Sequence, residues 1–480
     1  MRKKFLSYFP LIFLIFFSFF TRFYRLSFPP NVVFDEAHFG LYATKYLSHQ
    51  YYFDIHPPFG KLILGLVAFL TKIQPGFDFE RGTEYGSFKF IYLRGTVAFF
   101  GSLFVILIYF LVRELGFSKR AAFLASFFVL FDNAFLVQSR LILIDIFLLF
   151  FIFLSLYLYL IFKKLAPFSK KWWIFGILLG FSLGAAISVK VIGFGILLLI
   201  WGWEILEEKF FSKEKKEIFA KIFLLFLLPI FLYFLLFCIH FSLAWQKCEK
   251  NCGWVLDWEG IWPGIERLPE YSTWSFWISK IDTPPTGNLF KKFLEVQKLM
   301  FYDFASVRDY YWQSSWYTWP FMIRPIGYFA EKVGEKMIYI YFFGNPLVWW
   351  LSLFGLLTYL YLVTRNLILK FKMNLPSNFY SPNFRLLVFG YIIFFVSFSI
   401  VPRFLLLYHY LTALTFSIII FSVFFSEILQ KLPKKLSNFL FFGILGLVLG
   451  SFFYFSPITY GIPLSSNALK IRTWLSSWFY

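Results

Sequence analysis

Residues 31–40 read NVVFDEAHFG, placing two adjacent carboxylates and an imidazole, Asp35, Glu36 and His38, at the edge of an apolar run. A carboxylate can act as general base toward a hydroxyl nucleophile. Neighbouring side chains diverge, so this pair does not oppose two carboxyls across one bond as glycoside hydrolases do. One base plus one positioning carboxylate fits better. His56 and Lys61 follow in DIHPPFGK. Asp35, Glu36, His38 and His56 also offer hard and borderline ligands, and a metal site stays open as the alternative. Further charges interrupt apolar sequence: Arg94 in YLRGTVAFFG, Arg140 and Asp145 framing SRLILID, Lys190 in SVKVIG, and Arg403 and His409 in RFLLLYHYL. A charge within a membrane span costs about 3 kcal/mol on insertion scales, so each needs a reason. Cations of this kind can neutralise a phosphate that gains charge as it leaves. Each also has a structural reading: Arg140 and Asp145 as a mutual pair, Lys190 as a snorkelling side chain, His409 as a satisfied interface imidazole.

The elements that must position these residues are membrane helices. Of the 480 residues, 59% are hydrophobic, 25% aromatic and only 15% charged, too few charges to cover a soluble globule of this size. Apolar runs predict an all-α polytopic membrane protein with about eleven spans. Their approximate bounds are 5–21, 88–112, 121–138, 141–162, 172–189, 191–206, 220–243, 339–363, 385–401, 405–427 and 437–456. MRKK followed by an apolar run, with no small-residue cleavage site, reads as a retained first span. The loops 113–120, 163–171, 207–216, 364–372 and 430–436 are rich in Lys and Arg, like the N-terminus. Eleven spans put all of them on one side, predicting a cytoplasmic N-terminus. The formal net charge of +20 is therefore read as loop retention, and no basic-aromatic pattern points to nucleic acid.

On this topology residues 22–87 and 244–338 are two large extracytoplasmic loops. The chain divides into an N-terminal module (1–243) carrying the chemistry-bearing loop, a Trp-rich loop (244–338) and a C-terminal module (339–480). The odd charges then share the outer side, where cations from separate spans would surround one acidic site. A lipid-phosphate sugar fits such a site, its tail in the bilayer and its head at the outer loop. Most Trp residues of 244–338 read as interfacial anchors, and 289–304 as an amphipathic helix on the outer leaflet. Cys248 and Cys252 could form a short disulfide outside the cell.

FDEAHFGLYATKYLSHQYYFDIHPPFGKLI (34–63) closely resembles the first-loop signature of protein O-mannosyltransferases, membrane enzymes of the GT-C glycosyltransferase fold. YLRGTVAFFG (92–101), SRLILID (139–145), LGAAISVKVIGFG (183–195), YWQSSWYTWPFMIRP (311–325), YFFGNPLVWW (341–350) and RFLLLYHYL (403–411) are similar to later blocks of that family, in its order. The resemblance implies transfer of mannose from a polyprenyl or dolichyl phosphate to Ser or Thr of a protein, with inversion. It implies Asp35 as base and Glu36 as a residue placing acceptor or sugar, with His38, His56 and Lys61 completing the motif. Arg94, Lys190, Arg403 and His409 become candidates for the donor phosphate, with Arg140 and Asp145 in support. No metal or other cofactor is expected. The expected setting is a plasma membrane with the site outside and acceptor delivery by the secretion translocon. Val191 stands where the family usually has Trp, and 244–338 is too short for the β-trefoil MIR insertion of eukaryotic members, so the chain resembles the compact bacterial form. The alternatives are a GT-C enzyme acting on lipid A or another glycan, a transporter, and a non-catalytic lipid-carrier scaffold.

Overall fold

Without water, a spanning segment must satisfy its backbone groups internally, which makes each apolar run a helix. The computed structural model describes residues 2–208, 210–249, 283–306, 311–369, 377–401 and 404–479. The first half contains α1 (Arg2–Phe23), α2 (Glu36–Lys45), α3 (Phe59–Leu70), α4 (Phe90–Glu114), α5 (Lys119–Leu130), α6 (Asn133–Gln138), α7 (Asp145–Phe162), α8 (Lys170–Ile187) and α9 (Phe194–Leu206). A long helix, Lys215–Leu243, follows. The second half contains Leu289–Ser306, an antiparallel hairpin of β1 (Ile326–Val333) and β2 (Lys336–Phe342), and helices Pro346–Leu369, Pro382–Val396, Leu411–Gln430 and Lys434–Phe455.

Among the described residues, eight helical segments are long and apolar enough to cross a membrane: α4, α7, α8, Lys215–Leu243, Pro346–Arg365, Pro382–Ile400, Leu407–Gln430 and Lys434–Phe455. Phe9–Phe23, Phe59–Leu70 and Val191–Leu206 are shorter apolar helices. Leu411–Gln430 is buried almost along its whole length, against α5 and the helices Pro346–Leu369 and Pro382–Val396. It is apolar all round because every face meets protein.

Two expectations about elements change. The span expected over 121–138 is two helices, because Asp132 caps α6 by accepting from the backbone of Ala134 and Phe135. The other Asp132 oxygen accepts from the Asn345 backbone (2.8 Å) and Trp349 Nε1 (2.9 Å), so the GNPLVWW block docks on this break. The span expected from 339 begins at Pro346, since β2 occupies Lys336–Phe342. The first long loop, 22–87, is itself structured by α2 and α3.

Leu289–Ser306 is helical and packs on Lys215–Leu243, where Tyr233 donates to Gln297 at 2.8 Å. Trp312 and Trp319 are buried core residues rather than interfacial anchors; Trp254, Trp258, Trp262, Trp274 and Trp277 lie outside the described residues. Cys248 is disulfide-bonded, and Cys252 lies outside the described residues.

Candidate active site

The first loop is laced to itself before any site can form. Val32 N donates to Thr83 O and Gly82 N to Val32 O, both at 2.8 Å, and Tyr85 N donates to Pro30 O at 2.8 Å. Pro57 and Pro58 precede α3, where missing N–H groups cost nothing. Phe59 N at the head of α3 donates to Ser188 O, tying the loop to the turn after α8. A Cβ at Gly60 would meet Ile144 at 2.9 Å, so only glycine lets α3 approach that closely.

Glu36 lies within this frame with no exposed surface. Its carboxylate accepts five hydrogen bonds, from Arg94 Nε (2.8 Å), Arg94 Nη2 (2.8 Å), Ile142 N (2.9 Å), Tyr85 Oη (3.1 Å) and Val33 N (3.2 Å). Arg94 is equally committed. Besides Glu36 it donates to Pro29 O (2.7 Å), Asn31 O (3.2 Å) and Leu26 O (3.3 Å). A guanidinium has five N–H donors, and all are used. This counts against two expectations: Glu36 spends its carboxylate on protein donors rather than on acceptor or sugar, and Arg94 spends all five donors on protein oxygens rather than on a phosphate. Together they clamp the loop to α4.

The Asp35 side chain leaves the same backbone in another direction. It stands at the N-cap of α2 but caps nothing, is 7% exposed, and makes no side-chain hydrogen bond among the described residues. Its ion pair is with Arg81 Nη2, at 3.8 Å. Burial pushes the Asp35 carboxyl up to about 6; Arg81 and Lys190 oppose that, while Asp145 and Asp54 reinforce it. These residues come from the first loop, the turn after α8 and the head of α7. Lys190 Nζ donates to Asp145 Oδ1 at 2.8 Å and lies 5.1 Å from the Tyr408 ring centroid. One of its three N–H donors is thereby used. Asp145 sits in the first turn of α7, where the helix dipole favours an anion.

Lys61 forms a buried ion pair with Asp54 and donates to His56 O at 2.6 Å. His56 N in turn donates to Asp54 Oδ1 at 3.2 Å. Lys61 therefore closes the DIHPP turn. His38, on the first turn of α2, is half-buried; burial and Arg81 push its imidazole down to about 3, so it is neutral at physiological pH.

Arg140 does not pair with Asp145. It donates to the carbonyls of Arg22 (3.2 Å), Tyr24 and Arg25 (2.8 Å) at the C-terminal end of α1. Arg22 does the same for α5, donating to Leu130 O (3.0 Å) and Val129 O (3.2 Å). Each arginine satisfies the orphan carbonyls of the helix it meets. His409 Nδ1 is bound to the backbone of Leu406, and its ring lies among Trp319, Phe398 and Tyr408. Arg403 lies outside the described residues. Among the described residues no three His, Cys, Asp or Glu side chains converge as a metal set.

Sequence reasoning missed Arg81 and Asp54. Asp54 sits in the quoted DIHPP motif, and its seven-residue spacing from Lys61 across a Pro-Pro turn was a usable signal. Arg81 had none, because its link to Asp35 is purely tertiary. A cavity of about 640 Å³ lies among Gln313–Thr318, Ile323, Arg324 and the residues from Phe398 to Leu405. Its lining includes the apolar Phe398, Val401 and Phe404 and the polar Ser315, Thr318 and Arg324. Its wall is tied to the site through the segment running from Leu405 to Tyr408, where Leu405 O accepts from Ser314 N.

Residues 12–245 match a family model described as dolichyl-phosphate-mannose-protein mannosyltransferase. Residues 289–478 match one described as the C-terminal four TMM region of protein-O-mannosyltransferase. The chain is 37% identical over 243 residues to dolichyl-phosphate-mannose–protein mannosyltransferase 2 of Candida albicans, a match spanning 48% of this chain and 32% of that protein. It is 36% identical over 245 residues to mannosyltransferase 3 of Saccharomyces cerevisiae, spanning 49% and 32%. The match thus spans about a third of the length of these curated relatives. In structure, the chain is similar to the S. cerevisiae protein O-mannosyltransferase Pmt1-Pmt2 complex bound to the sugar donor, with a TM-score of 0.84 at 19% identity over 100% of this chain and 93% of that one. It is also similar to ArnT from Cupriavidus metallidurans, with a TM-score of 0.52 at 14% identity over 94% and 76%.

Proposed function

Starting from a chain that belongs to the protein O-mannosyltransferase family and has the GT-C fold, we propose that it transfers mannose from a polyprenyl or dolichyl phosphate to Ser or Thr hydroxyls of proteins. The observation that carries this is Asp35: a buried carboxylate without a hydrogen bond among the described residues, ringed by Arg81 and the Lys190–Asp145 pair. A hydroxyl oxygen attacks the anomeric carbon of mannose as its proton passes to Asp35. The bond from that carbon to the phosphate oxygen breaks, and its electron pair leaves on the phosphate. Attack opposite the leaving group inverts the anomeric centre.

A carboxylate raised to about 6 is a better base than an ordinary aspartate, and is still ionised at neutral pH. Lys190 keeps donors for the departing phosphate and is the described cation best placed to stabilise it. The cavity that shares the Leu405–Tyr408 segment with the site is lined by both apolar side chains and Arg324, which suits an amphiphilic donor. The reading assigns no metal, because Asp54 and Asp145 are each neutralised by a lysine; transfer is expected to survive a chelator. The basic loops support a cytoplasmic N-terminus with the site on the outer side; a plasma-membrane setting and acceptors arriving from the secretion translocon are part of the proposal.

The test is to incubate the purified protein in lipid with labelled polyprenyl-phosphate-mannose and a Ser/Thr peptide. Label on the peptide is expected, lost in Asp35→Asn. Label appearing instead on a lipid or glycan acceptor would favour the other GT-C chemistry.

A further inference from the structure

We infer that Arg81 is a positioning residue for Asp35, fixing where the carboxylate points and holding its charge inside a buried site; this rests on Asp35 being the base. Two contacts converge on one guanidinium. Arg81 Nη2 lies 3.8 Å from Asp35 Oδ1, and Arg81 Nε donates to the carbonyl of Phe34 at 3.1 Å. Phe34 is the residue that sets the direction of Asp35, and its φ is +47°, a left-handed conformation that a phenylalanine adopts only under constraint. The constraint comes from both ends of the residue. Arg81 holds the carbonyl, and the ring is stacked on Tyr328 with centroids 4.1 Å apart. Tyr328 is itself held by Gln138, which donates to its hydroxyl at 3.0 Å.

Arg81 is held in place in turn. Gly82, at φ +87°, makes the turn that presents it, with Gly82 N bound to Val32 O and Gly82 O accepting from Asn31 Nδ2 at 2.9 Å. The charged and titratable groups around Asp35 are Arg81 and Asp54 from the first loop, His38 from α2, Lys61 from α3, Asp145 from α7 and Lys190 from the turn after α8. Lys61 and Lys190 each carry a carboxylate of their own, Asp54 and Asp145. Within each of those pairs the lysine is engaged by its own carboxylate, whereas Arg81 makes its ion pair with Asp35 directly and is the largest of the charges acting on it. Removing the Arg81 charge therefore leaves a buried carboxylate that protonates more readily. Removing only its fork leaves the charge but loosens the Phe34 turn.

The experiment compares Arg81→Gln and Arg81→Lys with the parent across pH, using labelled polyprenyl-phosphate-mannose and a Ser/Thr peptide. Parental kcat should fall as pH drops through about 6, as Asp35 takes up a proton. Arg81→Gln is expected to move that limb up by about one unit, a tenfold loss below it, with KM for the lipid donor unchanged. Arg81→Lys is expected to keep the parental limb while lowering kcat. A limb in Arg81→Gln that superimposes on the parent's overturns the charge role. Should Arg81→Gln not fold, Arg81→Lys decides: a shifted limb overturns the charge role, and parental kcat overturns the positioning role. Infrared difference titration of the Asp35 carboxyl, parent against Asp35→Asn, reads the same shift without turnover. If Asp35→Asn transfers mannose at the parental rate, the assignment of the base fails. A carboxyl band that moves in Arg81→Gln would still support the charge role, and a band that does not move there would end it.

Discussion

Glu36 and Asp35 are neighbours in the chain, and their carboxylates live in opposite circumstances. Glu36 is saturated by five hydrogen bonds, two of them from a bidentate arginine. Asp35 is nearly as buried but, among the described residues, makes a single ion pair at 3.8 Å. A buried charge with every lone pair satisfied is a structural joint, because breaking it strands the partner. A buried charge left under-satisfied is poised to gain a proton, which is what a base does. The lesson extends to the cations. Arg94 and Arg140 spend their donors on protein oxygens, whereas Lys190 gives one of three to Asp145. Charge inside an apolar chain does not by itself mark a site; unspent hydrogen-bonding capacity does.

That contrast can be broken most sharply at its two acids. Asp35→Asn should cost about 10²–10⁴-fold in transfer rate. The folded carboxyl is raised from its ordinary 3.8 to about 6. Its ionisation over that interval therefore opposes folding, and Asn should leave Tm unchanged or higher at pH 7. Arg94→Ala should act on the fold instead, destabilising it by about 3–5 kcal/mol by stranding Glu36. Thermal unfolding in detergent checks this; normal Tm with a selectively raised donor KM would return Arg94 to the phosphate. Lys190→Gln, which can still donate to Asp145, should lower kcat/KM for the lipid donor by about 10²-fold with little change in Tm. Tyr85→Phe removes one of the Glu36 donors and should cost about 1 kcal/mol of stability at an unchanged transfer rate. A Tyr85→Phe variant that lost activity while keeping its Tm would mean that Glu36 has chemistry after all.

Much of the architecture was legible along the chain. Apolar runs found the long helices to within a few residues, because the membrane penalises an unsatisfied backbone wherever it occurs. The α5–α6 break was not legible, since hydropathy sees Asp132 as one polar residue in a greasy run. Only its partners Asn345 and Trp349, more than two hundred positions later, explain why the helix stops there. The start of the helix at Pro346 was equally hidden, because a buried strand and a buried helix are both simply apolar.

At the site, residue types and order were enough to identify the acidic loop, the charges that interrupt apolar sequence, and the family to which the chain belongs. These follow from composition and motif, which are properties of the string. What each charge does was decided only by folding. Carboxylates one residue apart diverge, and whether either meets a guanidinium depends on helices and turns brought together from as far away as α4 and residue 81. Arg94 is a clamp, Arg140 a helix cap and Arg81 a partner of Asp35 for that reason. Hydrogen-bond capacity is finite, and only the tertiary structure shows where it is spent.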